Sequence, residues 1–319
     1  MQQVAARPLD GEIHYGTFQG ACATTALDGA AAALGIGPVR RRLREKRWQY
    51  FAAADGAVAV GGAIVHLGWA GHAFLWAVER GRPLVEAEVT ALPFSVRVGD
   101  EPGEGLVARC RGLTLRRAGG ALHAAGRLGQ VEVEVRLEEA GTPFLTAVAP
   151  VKGGGVNLTA KQAGLRAAGE VRIGGRRIEL GAGAVGLADY THGLLARVTS
   201  WRWAAGGGRL PDGTRVGFNL VDGFNDALEN GIWIGGALQP AGRARFAWDA
   251  ADPAAPWAVR TEDGSVDLRL EPEAVRRRDL RLGLATSWYR QPVGRWSGRL
   301  GGLEVEGLFG VAEDHRARW

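Results

Sequence analysis

From Trp48 onward the chain is written in a period of two, and that alternation limits its fold more than any other feature. In Val131 to Leu137 the apolar side chains Val131, Val133, Val135 and Leu137 alternate with Glu132, Glu134 and Arg136. Val216 to Val221, Val266 to Leu270 and Leu303 to Leu308 follow the same pattern. Successive side chains on a strand point to opposite faces, so each run predicts a half-buried strand. Gly174-Gly175, Asp212-Gly213 and Asp263-Gly264 stand between such runs, and dipeptides of this kind close tight hairpins. Helical periodicity is scarce. The expected class is all-β, an antiparallel barrel or sandwich.

With 319 residues, 46% of them hydrophobic, the chain can fill two cores. Its first 45 residues read as irregular or partly helical. Strands then fill Trp48 to Leu180, which places an N-terminal barrel-like domain at 1–188 and a C-terminal one at 189–319. The second is rich in tryptophan, holding eight of the eleven. Ala52 to Val78 carries only Asp55 as a formal charge and is long enough to span a bilayer. Asp55-Gly56, Gly61-Gly62, Gly68 and Gly71 divide it into strand-length pieces, so buried hairpins are expected and no integral membrane span. Cys22 and Cys110 show no disulfide or zinc spacing, and Met1 to Asp10 lacks the basic and apolar regions of an export signal. A cytoplasmic location is expected.

The formal charge of +5 comes from an arginine-heavy composition in which Lys46, Lys152 and Lys161 are the only lysines. Its one cluster, Arg40, Arg41, Arg42, Arg44, Lys46 and Arg47, is a thin footprint for nucleic acid, and no nucleic-acid partner is expected. Gly181 to Gly186 matches GxGxxG, but neither a helix nor a suitably spaced acid follows it, so it reads as a turn. Asn219, Asp222, Asn225, Asp226, Glu229 and Asn230 do not fit a calcium loop. Walker, GxSxG, HExxH and CxxC motifs are absent, and no cofactor or metal is expected.

The densest polar signal is Asp189-Tyr190-Thr191-His192-Gly193, followed by Thr199-Ser200-Trp201-Arg202-Trp203. Trp201 and Trp203 share a strand face and can wall a cavity, with Asp189 and His192 as an acid/base pair beside them. Equally, Asp189 and His192 can satisfy turn backbone groups beside a core tryptophan pair. The C-terminus repeats the mixture in Glu313, His315 and Trp319, which complete an acid/base pair at a barrel mouth or pin the terminus through ion pairs. Lys161 offers a compact ammonium in a chain that otherwise uses arginine.

Lys46 to Tyr50, Thr159-Ala160-Lys161, Ala188 to Thr191, Thr199 to Ala204, Gly217 to Leu220, Glu229-Asn230, Pro256-Trp257 and Glu313 to Trp319 together resemble the bacterial family catalogued as domain of unknown function 2804. More remotely, an Asp-bearing turn before Trp-x-Trp resembles the lipocalin-like carotenoid 1,2-hydratase, AttH-like and tocopherol cyclase group. These resemblances imply two lipocalin-like antiparallel β-barrel halves and a hydrophobic small molecule, lipid or isoprenoid, as partner. The leading expectation is a binding protein in which Trp201 and Trp203 line the pocket and Asn219 or Lys161 orients the ligand's polar end. The second is an enzyme that protonates a terpenoid or carotenoid alkene, using Asp189 or Glu313 as acid and His192 or His315 as partner. A pocket-facing carboxylic acid with a raised pKa separates the two.

Overall fold

In the computed structural model, which describes residues 1–282 and 285–319, the strands form two sheets whose long members all pair antiparallel. The first sheet curls into a nearly closed barrel and the second into a half-barrel, so the chain is two β-barrel halves. Each is a meander whose last long strand returns to pair with its first: Val185–Leu194 with Glu45–Ala54, and Leu303–Arg318 with Val198–Arg209. Pairing is interrupted at equivalent places, between Val85–Ala91 and Val96–Val98 and between Ala237–Pro240 and Ala244–Ala247. The same topology is thus used twice.

The turn chemistry behaves as the sequence predicts. Gly174-Gly175, Asp212-Gly213 and Asp263-Gly264 each join consecutive hairpin strands. Ala52 to Val78 falls in three of them, Glu45–Ala54, Val58–His66 and Gly71–Glu79. At the first turn Asp55 accepts the backbone N–H groups of Ala57 and Val58 at 2.7 and 2.9 Å. Gly181 to Gly186 leads into the strand Val185–Leu194, so no helix N-terminus faces it. Among the described residues no helix is long and apolar enough to cross a membrane. Helix is confined to short pieces, of which Asp28–Ala33 and Pro38–Arg44 lie in the first 45 residues.

Alternation along the central strands divides the apolar side chains among three layers. On Glu45–Ala54, Phe51 and Ala53 enter the first barrel's core with Ile64, Leu75 and Leu158, whereas Tyr50, Ala52 and Ala54 face the second barrel. There they meet Trp203, Val293, Phe309 and Val311. Phe218, Leu220, Trp257 and Trp296 fill the second barrel. This middle layer corrects one expectation: the run Val216 to Val221 is buried on both faces, because one lines a barrel core and the other packs against its neighbour.

The barrels touch most closely where side chains are missing. Gly164 sits at a bulge in the strand Gly155–Ile173 with φ +73°, and a Cβ there would lie 2.6 Å from the Val216 carbonyl oxygen. Across the contact, a Cβ on Gly217 would lie 2.5 Å from the Ala163 carbonyl carbon. Gly164→Ala should therefore combine ~1–3 kcal/mol of backbone strain with an overpacking cost of similar size. A urea midpoint equal to that of the wild type would show that the barrels slide apart freely.

Candidate functional site

The layer between the barrels opens into a cavity of about 110 Å³, walled by Trp48, Tyr50 and Phe74 from the first barrel and Trp201, Trp203 and Tyr289 from the second. Trp48 and Trp201 stack across the boundary, with centroids 6.1 Å apart and planes inclined by 15°. Tyr50 meets Trp203 edge-on at 5.4 Å. Arg276 ties the same two walls together: its guanidinium lies 3.8 Å from the Phe74 centroid and 5.1 Å from that of Tyr289, and its Nε is 2.6 Å from Glu86.

Two groups of ionisable side chains enter this aromatic box, the first shared by both barrels and the second from the second barrel. Register delivers the first, since Asp189 is paired with Lys161 on one side and Tyr50 on the other. Lys161 Nζ lies 2.7 Å from Asp189 Oδ1 and 2.9 Å from Glu229 Oε1. Trp48 Nε1 donates to Asp189 Oδ2 at 3.2 Å. All three members of this ion cluster are buried. Burial works against the Lys161 ammonium, but its two carboxylate partners outweigh it and its pKa is raised. Burial raises the Glu229 carboxyl, with the Lys161 charge opposing. An ammonium has three N–H donors, so Lys161 keeps one beyond its two carboxylates.

The second group centres on Glu313, which is paired in register with Trp203. Its Oε1 accepts the Trp201 indole N–H at 2.7 Å, and its Oε2 accepts the Tyr289 hydroxyl at 2.7 Å and the Gln291 amide at 3.1 Å. Three donors favour a carboxylate, yet burial prevails, and with the Asp189 charge it raises the Glu313 pKa to about 7. His315, two residues on, shares the face. Its Nε2 is 2.8 Å from Ser287 Oγ, while Nδ1 stands 3.8 Å from Glu313 Oε1 and has no hydrogen-bond partner among the described residues. Burial, reinforced by the Arg276 charge, lowers His315 to about 3, so its imidazole is neutral at pH 7.

The structure brings Asp189, Lys161, Trp201, Trp203, Glu313 and His315 to one cavity. It does not bring His192 there. Three positions from Asp189 on a strand is the opposite face, and the His192 ring bonds Thr25 Oγ1 at 2.9 Å and Glu45 Oε1 at 3.1 Å. Asn219 stands behind the wall: its Oδ1 accepts the Trp203 indole N–H at 2.7 Å and its amide donates to the Glu229 carbonyl at 2.8 Å. Sequence reasoning missed Glu229, Tyr289 and Trp48 as site residues. Trp48 and Tyr50 carried a signal in their two-residue spacing, whereas Glu229 lies in an oxygen-rich stretch that resembles an ordinary turn.

The model of a family described as "Domain of unknown function (DUF2804)" matches residues 10–319. No curated protein matches the chain in sequence. Among solved structures it is similar to an AttH-like protein of Nitrosomonas europaea, at TM-score 0.55 and 12% identity over 85% of this chain and 92% of that one. It is also similar to CghA with Sch210972, at TM-score 0.53 and 14% identity over 86% of this chain and 88% of that one. At these identities the likeness is one of fold.

Proposed function

We propose that this chain, which belongs to the DUF2804 family, holds the apolar end of a small molecule between its barrels and performs acid–base chemistry on it with Glu313. The observation that carries this reading is a buried carboxyl group, raised to about 7, set among aromatic faces. Pure binding needs no such group, since a buried acid costs stability unless it is used or neutralised. The CghA fold, crystallised with Sch210972, supports a small organic ligand for this architecture.

The chemistry fits alkene protonation. Protonated Glu313 gives its proton to a double bond, whose π electrons form the new C–H bond and leave a cation on the neighbouring carbon. The faces of Trp48, Trp201 and Trp203 stabilise that positive charge. Water then adds to the cation and returns a proton to the Glu313 carboxylate, which gives an alcohol and restores the acid. Loss of a neighbouring proton to the same carboxylate gives an isomer instead. The third N–H of Lys161 binds an oxygen on the ligand and fixes its orientation.

A cavity of about 110 Å³ admits only part of a molecule. At ~30 Å³ per water in the liquid, it holds a few waters or one short branched end. Mass spectrometry of apolar compounds extracted from the purified protein should reveal a bound alkene, and adding that compound should quench tryptophan emission. Trp201→Ala should weaken its binding by about tenfold, through loss of the Trp48 stack and of a buried aromatic wall. Unchanged affinity and quenching would place the ligand elsewhere.

A further inference from the structure

We propose that the helix Pro38–Arg44, together with the corner at Leu92 and Phe94, docks on an anionic lipid bilayer beside the mouth of the cavity. Large apolar side chains stand in water on this face: Val39 is 77% exposed, Leu43 57%, Leu92 60% and Phe94 84%. Phe94 shares a groove with Pro38, Arg41 and Arg42, so the corner and the helix form one surface. A second groove on the other side of the helix joins Leu43 to Arg40, Arg44, Lys152 and Arg197.

Charge identifies the occupant. Arg41 and Arg47 pair with Asp28, Glu45 and Asp100, but among the described residues Arg40, Arg42, Arg44, Lys152 and Arg197 have no carboxylate within salt-bridge distance. Arg44 is pinned by the carbonyls of Gly153, Gly154, Leu194 and Leu195, which orient its guanidinium without neutralising it. Apolar tips projecting through a field of unneutralised cations match a negatively charged headgroup layer over acyl chains. A nucleic acid would use the cations and leave Val39, Leu43 and Phe94 in water.

Trp319 connects this face to the site, because its ring lines both the basic groove and the cavity between the barrels. A lipid-soluble molecule with one end in the cavity can keep its remainder in the bilayer. That loading role rests on the apolar-ligand reading above, whereas the docking does not.

The test is flotation of the full chain with vesicles of equal phosphatidylglycerol and phosphatidylcholine, and with vesicles of phosphatidylcholine alone. Binding should require phosphatidylglycerol and weaken as salt is raised. Leu43→Gln with Phe94→Ser, and separately Arg40→Glu with Lys152→Glu, should each reduce it at least about tenfold, with circular dichroism and uptake of the extracted alkene in detergent unchanged. Equal binding to both vesicles, or variants that bind like the wild type, would overturn the proposal. So would tighter binding to duplex DNA than to vesicles, or a dimer that Leu43→Gln dissolves in a protein that ignores vesicles. Vesicle binding without any bound alkene would keep the docking and remove the enzymatic reading.

Discussion

Glu313→Gln should yield a protein that folds and takes up its ligand but turns it over at least about a hundredfold more slowly, the typical loss when a general acid is removed. Glutamine preserves the shape: its one carbonyl oxygen accepts from the Trp201 indole, and its NH2 donates to the Tyr289 hydroxyl oxygen in place of accepting from it, so the aromatic wall stays in place. It has no proton to transfer. The pH profile supplies an independent readout. With a pKa of about 7, Glu313 is protonated on the acid side, so turnover should be steady near pH 5–6 and fall as pH rises through 7. His315, lowered to about 3, is neutral across this range and adds no second limb there.

Stability should follow the same group. An unfolded glutamate titrates near ~4.3, so between that value and about 7 the folded chain binds a proton that the unfolded chain has lost. The resulting stabilisation is fully present below the lower value and disappears as pH climbs through the upper one. Wild-type stability should fall by about 3 kcal/mol over that window, and Glu313→Gln should flatten the slope. Turnover and slope both unchanged in the variant would take Glu313 out of the mechanism; a lost slope with unchanged turnover would leave it a buried structural acid.

Local chemistry made the fold legible and long-range register hid much of the site. Val131 to Leu137 alternates because one face of the strand is a core, and that needs no knowledge of its neighbours. Asp212 announces its own turn, accepting the Thr214 N–H at 2.8 Å. Trp201 and Trp203 were readable for the same reason, as two large side chains on one face. The same period of two separates Asp189 from His192, so a spacing of three on a strand argues against a pair. Glu229 and Tyr289 escaped because their partners are remote in the chain: Glu229 reaches Lys161 from a short turn, and Tyr289 reaches Glu313 from the neighbouring strand. The pocket itself is a product of docking one barrel on another, and no segment of sequence encodes that geometry alone.

The largest effect on folding should come from Lys161→Met. The substitution keeps the length and apolar stem of the side chain but removes the charge that Asp189 and Glu229 share at 2.7 and 2.9 Å. Two buried carboxylates then face each other without an ammonium. Removing one partner of a buried ion pair typically costs ~3–5 kcal/mol, because the remaining charge has lost both water and its partner. Trp48 still donates to Asp189 and Asn225 to Glu229, yet neutral donors replace only part of a full charge. The deficit should depend on pH. Burial already raises the Glu229 carboxyl against the opposing Lys161 charge, and without the lysine that opposition is gone, so the variant regains stability as pH falls toward ~4 and loses it as pH rises through the folded Glu229 value. Adding Asp189→Asn and Glu229→Gln should recover most of the loss at pH 7, since a neutral hydrogen-bonded cluster has no charge to desolvate. Urea denaturation of the single and triple variants at pH 4 and pH 7 decides the matter. A Lys161→Met protein within about 1 kcal/mol of the wild type at pH 7 would mean that water already reaches the cluster, and that the lysine is held there for the ligand alone.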